Sequence, residues 1–388
     1  MITPCLWAQK KELSQARSYI KSGKDFDKAE RLMTDLLKKD TANRQDERIY
    51  LTWFQAVTRQ YEAANEKLYL HQKYDTAAFF NLTRRLFAIA EHLDSLDAKP
   101  NEKGRVKLRY REDNAEMLDR LRPNLYYGGT FQIRKEQYPV AFDFFECYLE
   151  TANQPLFTGY KYAAADSLMP QAAYWASYAG YRMQDAERTL RYFDIAVRDT
   201  SKARFAIQYA CEAYLWQHDD TANLAMLKRG FSNYPDSPYF FPRLVDYYNA
   251  HERPDSALYY AEQGLQSNPD NQLFLLGQSV ALLNLERYEE CIRVSERLIT
   301  LNDSLAEPYF NIATAKLNKV LELDRLNQPR VYRQQMRQLY MEARPYMEAY
   351  RKLAPEAKRK WAPALYRIYL NLNMGRQFEE IDKIMRKL

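Results

Sequence analysis

Three tyrosines and one arginine form the pattern in this sequence with the clearest chemical meaning. Tyr174, Tyr178 and Tyr181 are spaced i, i+4 and i+7, so a helix places them in one stripe, with Arg182 beside the last of them. Tyrosine offers an aromatic contact surface with a polar tip, and arginine pairs with carboxylates. The spacing predicts noncovalent recognition of a partner. The alternative is that the stripe packs against neighbouring helices, because tyrosine occurs throughout the chain.

The residues that bond-breaking chemistry needs are scattered along the chain. The four histidines lie far apart and have no metal-ligand spacing, and no phosphate-binding or nucleophile motif occurs. Cys147, Cys211 and Cys291 are isolated in helical patterns, which favours small core residues over a redox or metal site. We therefore expect no enzyme activity, no catalytic residue, no metal and no cofactor.

The charge pattern is that of a solvated surface. The chain has 57 basic and 51 acidic residues, a net charge of +6, and the two signs alternate along most of its length. This argues against a nucleic-acid partner. A basic stretch near the C-terminus is a second candidate surface, for an acidic protein or an anionic surface, with a solvated face as the alternative: Arg330, Arg333, Arg337, Arg344, Arg351, Lys352, Lys358, Arg359 and Lys360.

The first residues have the character of a processed leader. Residues 1–8 end in an apolar Leu6-Trp7-Ala8 before Gln9 and two lysines, which favours the remnant of a secretory signal peptide. The alternative is an irregular start to a cytoplasmic protein. No later run is long and apolar enough for a transmembrane segment. We expect a periplasmic or cell-envelope protein, with the cytoplasm as the alternative.

The elements that position the tyrosine stripe come from an internal repeat. Segments of equal length begin at Arg204, Pro238 and Gln272, which are 34 positions apart, and each contains an apolar helix, a polar turn and a second amphipathic helix. Only 10 residues are glycine, in agreement with a helical chain. The segments therefore predict stacked helical hairpins.

The columns of this repeat resemble the tetratricopeptide repeat (TPR). Pro235 and Pro269 match its terminal proline, while Thr189 and Asn223 depart from its central small residue. The leucine–glycine pair of its first helix is matched by Gly128-Gly129, Ala176-Ser177, Ala210-Cys211 and Leu244-Val245, and its central small residue is matched by Ala141, Ala257 and Cys291. The resemblance implies an all-α, right-handed α-solenoid of about eight or nine TPR-like hairpins. The chain is similar to exported TPR proteins of two-membrane bacteria, many of which have no assigned function.

The resemblance also implies where a partner binds. In this family the first helix of each hairpin lines a concave groove, which implies a non-enzymatic scaffold that holds a protein or peptide. A glycan- or small-ligand-binding solenoid of the cell envelope is the alternative. The groove positions, carried over residue by residue, are Tyr126, Arg134, Tyr174, Tyr178, Tyr181, Arg182, Gln208, Glu212, Trp216, Asp246 and Asn249.

The regularity of the repeat divides the chain into segments. Residues 9–121 hold degenerate TPR-like helices, 122–305 hold well-framed units, and 306–388 hold C-terminal units with an extended hairpin. An insertion at 156–169 interrupts the rhythm immediately before the tyrosine stripe. We expect Phe157, Tyr160 and Tyr162 in this insertion to extend the aromatic site, with cover for the seam between hairpins as the alternative.

Overall fold

The computed structural model describes residues 4–101 and 103–388, and this part of the chain is all-α, without strands. Residues 1–3 of the predicted leader lie outside the described residues, and the helix that follows begins at Pro4. The chain divides into two compact units, residues 1–223 and 224–388. Each unit is built from antiparallel helical hairpins, so the predicted helical solenoid of TPR-like hairpins is confirmed.

The first unit contains two 3-10 helices, Thr41–Gln45 and Pro155–Tyr160, besides its α-helices. The α-helices are α1 (Pro4–Ser22), α2 (Phe26–Lys39), α3 (Glu47–Tyr69), α4 (Thr76–Asp97), α5 (Arg111–Leu121), α6 (Pro123–Arg134), α7 (Tyr138–Glu150), α8 (Tyr162–Ala165), α9 (Met169–Arg182), α10 (Ala186–Leu190), α11 (Phe193–Ala196) and α12 (Ala203–Trp216).

The boundary between the two units falls within α13 (Asp220–Asn233). The second unit continues with α14 (Phe240–Ala250), α15 (Pro254–Ser267), α16 (Gln272–Asn284), α17 (Tyr288–Leu301), α18 (Ala306–Arg325), α19 (Pro329–Leu353), α20 (Lys358–Asn371) and α21 (Gly375–Met385). In sequence, the three predicted repeats correspond to α12 and α13, α14 and α15, and α16 and α17, and the predicted extended hairpin corresponds to the long pair α18 and α19.

Small residues set the spacing of the helices, as the repeat predicts. Ala257, Ala261, Cys291 and Ser295 are fully buried on the second helices α15 and α17. Short side chains at these positions let neighbouring helices approach to the usual distance of about 8–10 Å. Their exchange for larger residues would force the hairpins apart.

The hairpin that begins at α9 departs from the predicted form because its second helix is broken. In place of one helix the chain forms α10 and α11, with Tyr192 between them at φ −116° and ψ 21°. Thr189 occupies the expected small position, and Gly180 on α9 makes up for its bulk: a Cβ at Gly180 would lie 2.5 Å from the Thr189 backbone nitrogen. Close packing is therefore kept, with the small residue moved to the other helix.

The first helices of four successive hairpins end in the same turn. Gln184, His218, Glu252 and Glu286, 34 positions apart, all have left-handed backbone, with φ of 55°, 56°, 54° and 59°. The amide one residue later donates to the carbonyl five residues before it, as Arg287 does to Leu282 at 2.9 Å. This is the Schellman motif, which glycine usually closes. Here each turn uses a residue with a side chain.

The insertion packs into the core of the first unit. Phe157 is 2 % exposed and its ring centroid lies 5.7 Å from that of Phe87 on α4, while Tyr162, 7 % exposed, donates to Asp119 Oδ1 at 2.6 Å. Tyr160 is half-buried and stacks on Tyr162. This corrects the expectation that the three residues extend the binding site: the rings cover the seam beside α4 and α5, because burying them there removes apolar surface from water.

One arginine ties the insertion to the hairpin before it. The Arg122 guanidinium lies between the rings of Tyr148 and Tyr162, with Cζ 3.8 Å from both centroids. It donates to Asp166 Oδ2 at 2.5 Å and to Thr151 Oγ1 at 2.8 Å, and Tyr148 Oη donates to Asp166 at 2.6 Å. We call these five residues the Arg122 network. It is a buried ion pair whose hydrogen-bonding groups have partners, which is the condition for such a pair to be stable.

Candidate functional site: an aromatic cleft and an apolar groove

Helices α9 and α12 are the first helices of neighbouring hairpins and pack side by side. All three tyrosines of the α9 stripe meet the ring of Tyr209 on α12. The Tyr209 centroid lies 6.1 Å from that of Tyr174, 5.9 Å from that of Tyr178 and 4.6 Å from that of Tyr181, with which it stacks at 22°. Tyr209 therefore contacts all three tyrosines of the stripe.

Two of the three predicted tyrosines pack rather than line a surface. Tyr174 is 7 % exposed and shares a hydrogen bond with Tyr209 through their hydroxyls, at 3.3 Å. Tyr178 is half-buried, with its ring edge-to-face with Trp175 and Tyr138. Tyr174 is thereby corrected from a binding residue to a core residue, since its ring is enclosed between α9 and α12. Burial raises the pKa of Tyr209, so this hydroxyl stays protonated in the folded protein.

The C-terminal ends of the same two helices enclose a cavity. Tyr181, Arg182, Gln184, Glu212 and Trp216 line about 280 Å³, and we call them the aromatic cleft. The rings of Tyr181 and Trp216 stack with centroids 5.9 Å apart and planes at 22°. Four of these five residues belong to the predicted groove positions, so the structure brings them together from two hairpins.

Arg182 is the most exposed charged residue of the aromatic cleft. Its Nη1 donates to Tyr178 Oη at 2.6 Å, and its Cζ lies 4.5 Å from the Tyr138 ring centroid. Across residues 4–101 and 103–388, no carboxylate oxygen lies within 4.0 Å of this guanidinium. The two tyrosines orient the planar group, and its remaining N–H donors are open to a ligand.

The other predicted groove residues of the first unit lie outside the aromatic cleft. Tyr126 on α6 donates to Gln171 Oε1 at 3.3 Å and meets the Phe145 ring edge-to-face. Arg134 is exposed at the last position of α6. Gln208 is half-buried on α12, next to Tyr209. These three residues do not join the cavity.

A second cavity lies in the second unit, between the first helices α14 and α16. We call it the apolar groove; it encloses about 200 Å³, and Asp246 and Asn249 lie on its α14 wall. Asn284 Nδ2 donates to Asn249 Oδ1 at 3.2 Å, which links the two helices. The remaining lining is mainly aliphatic and aromatic: Phe241, Pro242, Val245, Leu273, Leu276, Gly277 and Val280.

Three residues in or beside the aromatic cleft lie outside the groove positions that the sequence predicts. Tyr209 lies one position after Gln208, which the repeat register selects, and Tyr138 lies at the first position of α7, outside the first-helix positions. Gln184, in the left-handed turn after α9, is a third. The signal that points to Tyr209 is its type: it is an aromatic residue on the helix that follows an aromatic stripe.

The histidines and cysteines stand apart from both cavities. His92 stacks on Tyr50, His251 stacks on Tyr247, and His218 occupies a turn. Burial raises the pKa of Cys147 to about 12 and that of Cys291 to about 11, so both thiols stay protonated. Within the part of the chain that the structure describes, no three metal-ligating side chains of the His, Cys, Asp or Glu types come together.

Comparison with known proteins yields similar solved structures only. No protein-family model and no curated relative matches the chain. The C-terminal part of a TPR repeat-containing protein from Cytophaga hutchinsonii has 12 % identity over 67 % of this chain and 93 % of that one, with a TM-score of 0.44. Yeast Tom70 has 14 % identity over 98 % and 92 %, with 0.37. A domain of yeast Sti1 has 13 % identity over 76 % and 98 %, with 0.27.

The helices were also compared with the length and hydropathy of membrane spans. In the described ranges, 4–101 and 103–388, no helix combines the length and the apolar character that crossing a bilayer requires.

Proposed function

We propose that this chain is a non-enzymatic scaffold that binds a protein or peptide between the first helices of its hairpins. The observation that carries the proposal is the aromatic cleft, where groove positions from two hairpins, Tyr181 and Arg182 on α9 and Glu212 and Trp216 on α12, line one cavity. Stacked aromatic rings beside an oriented arginine are the residue types that supply most of the binding energy at protein interfaces.

The chemistry of the aromatic cleft favours a particular kind of ligand. Arg182 directs N–H donors that suit a carboxylate or a backbone carbonyl, and its planar group is already held by Tyr178 and Tyr138. The rings of Tyr181 and Trp216 offer contact area to an apolar side chain at a low entropy cost. A peptide with an acidic residue next to an aromatic or aliphatic one satisfies both features.

The apolar groove provides a second contact region for a partner chain. Val245, Leu276 and Val280 present aliphatic surface, and Asp246 and Asn249 add polar groups at its edge. An apolar side chain that enters this groove gains about 25 cal/mol for each Å² it removes from water. We infer that the groove binds a hydrophobic residue, while the aromatic cleft binds an acidic residue and an apolar neighbour.

A peptide-display selection against the whole protein tests this function. Enriched peptides are synthesised, and their affinities are measured by fluorescence anisotropy for the wild type and for the double variant Arg182→Ala/Trp216→Ala. We expect the double variant to lose at least about tenfold in affinity, as removal of two central contact residues does at other interfaces.

The matched control is the double variant Tyr69→Ala/Arg198→Ala. Tyr69 is 82 % exposed at the end of α3, and Arg198 is exposed after α11, so both lie outside the aromatic cleft. This control should bind as the wild type does. Equal losses in the two double variants, or a selection that enriches no peptide at all, would show that the aromatic cleft does not bind peptides.

A glycan ligand is the second candidate for the same cavity. The observation that favours it is the parallel pair of rings, Tyr181 and Trp216, which is the kind of flat surface on which sugar rings stack. An oligosaccharide array probed with the wild type and with Trp216→Ala distinguishes the two. Defined oligosaccharides bound only by the wild type would replace the peptide hypothesis.

We further propose that the protein works in the cell envelope of a two-membrane bacterium. The support is the sequence of residues 1–8, which ends Leu6-Trp7-Ala8 before a polar segment. Expression in such a bacterium, cell fractionation and mass spectrometry of the N-terminus provide the test. A periplasmic protein that begins at residue 9 is the expected result, and an uncleaved chain in the cytoplasm contradicts it.

A further inference from the structure

A second charged cavity lies in the second unit, on a different pair of helices. Arg330, Arg333 and Arg337 are spaced i, i+3 and i+7 on the first turns of α19, and they line a cavity of about 530 Å³. We call it the arginine cleft. Its other lining residues are Met336, Tyr340, Leu370, Asn371 and Asn373.

The length of one hairpin explains why this cavity exists. Helices α18 and α19 have 20 and 25 residues, whereas α16 and α17 have 13 and 14. The added turns at the start of α19 form one wall, and the end of α20 with the turn that follows it forms the other. The lining residue Tyr340 is 4 % exposed and accepts a hydrogen bond from Arg367 Nε at 3.0 Å, so that part of the lining is fixed.

The charge of the arginine cleft has a single sign. Its lining contains no aspartate or glutamate, and none occurs in the sequence between Asp324 and Glu342. Elsewhere in the same unit cations have acidic partners, such as Lys316 with Glu342 at 2.7 Å and Arg351 with Glu380 at 2.6 Å.

The three arginines of the cleft differ from those paired cations. Of the side chains that the structure describes, none places a carboxylate within 4.0 Å of Arg330, Arg333 or Arg337. Three like charges on one helix face repel one another. Their energy falls when an anion enters between them.

We propose that the arginine cleft binds an extended acidic segment of a partner protein. Seven residues of helix rise about 10 Å, so the three guanidinium groups follow a line about as long as three residues of extended chain. Carboxylates along such a segment pair with the arginines, in bidentate geometry where both oxygens are reached. Met336 and Leu370 give an apolar side chain of the segment a place beside the charges, which a phosphate backbone has no use for.

The test measures binding of a short fluorescein-labelled peptide with glutamates at alternate positions and one leucine. The variant Arg330→Glu/Arg333→Glu/Arg337→Glu reverses the charge of the cleft on exposed positions of α19. The control Lys352→Glu/Lys358→Glu/Arg359→Glu makes the same change of net charge on exposed positions nearby in the sequence. Circular dichroism establishes that both variants are folded.

We expect the cleft variant to lose at least about tenfold in affinity for the glutamate peptide and the control to lose less than about twofold. Equal losses in both variants overturn the proposal, because attraction would then follow net charge alone. The proposal is also overturned if single-stranded DNA or phosphatidylglycerol vesicles bind more tightly than the glutamate peptide at the same ionic strength and lose this binding in the cleft variant. The proposal is independent of the aromatic cleft, so Arg182→Ala/Trp216→Ala should leave this peptide's affinity unchanged.

Discussion

The aromatic cleft and the apolar groove occupy equivalent places, between the first helices of neighbouring hairpins, yet they are built differently. In the first, Tyr181 of α9 stacks on Tyr209 and Trp216 of α12, and hydrogen bonds join Tyr174 to Tyr209 and Arg182 to Tyr178. In the second, aliphatic side chains of α14 and α16 face each other, with one hydrogen bond between Asn249 and Asn284. The same position in the repeat thus carries hydrogen-bonding aromatic and charged side chains in one unit and a mainly aliphatic lining in the other.

The largest expected effect on the comparison comes from breaking the Arg122 network of the first unit. Arg122→Met leaves Asp166 without its ion-pair partner in a region where Arg122 is only 5 % exposed. Breaking a buried pair in this way costs about 3 kcal/mol. Hydrogen exchange followed by mass spectrometry should show faster exchange in α6, α7 and the insertion, while α14 to α17 keep the wild-type rate.

The matched control for this variant is Arg351→Met. It breaks the ion pair of Arg351 with Glu380 in the second unit, where the Glu380 side chain is 55 % exposed. It should cost less than about 1 kcal/mol. Equal destabilisation by the two variants would mean that the Arg122 network is no more important than a surface pair. We also expect deletion of residues 157–166 to unfold the first unit, because it removes Tyr162 and Asp166 from the Arg122 network.

Acid provides a second measurement of the network. Burial opposes ionisation of Asp166, but hydrogen bonds from Tyr148 and Arg122 outweigh it and lower the pKa of Asp166 below its usual 3.8. The stability that this carboxylate contributes is therefore present above about pH 4 and lost as the pH falls through the lowered value. Arg122→Met should show a weaker loss of stability across that range in denaturant titrations, and an unchanged slope would contradict it.

Tyr209→Ala sharpens the comparison because it removes the ring on which the stripe stacks. We expect a loss of about 2 kcal/mol in stability, since Tyr209 is half-buried, and a tenfold loss of peptide affinity at the aromatic cleft. Tyr209→Phe keeps the ring and should cost about 1 kcal/mol for the lost hydroxyl. Urea denaturation and anisotropy measure both, with the exposed Tyr259→Ala as a control that changes neither.

The corresponding variant in the apolar groove is Gly277→Ala. A Cβ at this position would lie 2.5 Å from Cζ of Phe241, so the ring must move. Overpacking of this kind costs about 1–2 kcal/mol. Ligand binding at the groove should fall while binding at the aromatic cleft stays unchanged, and a variant as stable as the wild type would show that the groove wall yields easily.

The smallest expected effect is an increase in stability. Glu286→Gly relieves the left-handed backbone of the turn after α16, at φ 59°, and we expect about 0.5–1 kcal/mol of added stability after the entropy cost of glycine. Thermal unfolding monitored by circular dichroism measures it. Glu286→Ala keeps the unfavourable backbone and serves as the control. A melting temperature of the glycine variant below that of the wild type would show that the backbone at Glu286 is not strained.

The hairpins follow from the sequence because their signals are local. The 34-residue period, and small residues such as Ala257 and Cys291, depend only on neighbours in the chain, and the structure confirms them. Phe157 and Tyr162 carry no such signal. The residue type of an aromatic side chain in an insertion does not show whether the side chain is exposed to solvent or buried between hairpins. Their burial depends on Phe87 and Asp119, which are distant in sequence.

The lining of the candidate site was predictable in part for the same reason. The repeat register selects one face of each first helix, and this face includes the cavity-lining residues Tyr181, Arg182, Glu212 and Trp216. Tyr209 was missed because it lies one position away from that register, and Tyr174 was misassigned because its burial depends on Tyr209. The left-handed turns were invisible, since Gln184, His218, Glu252 and Glu286 are not the residue types that mark such turns.

Those turns bear on how the hairpins melt. A hairpin whose closing residue is strained has a lower stability of its own, so more of its stability comes from the surfaces it shares with the next hairpin. In a linear array, weak units with strong interfaces unfold together, whereas strong units with weak interfaces fray one at a time. The scarcity of glycine at these turns, with only 10 in the chain, thus favours a sharp, collective transition over gradual unravelling from an end.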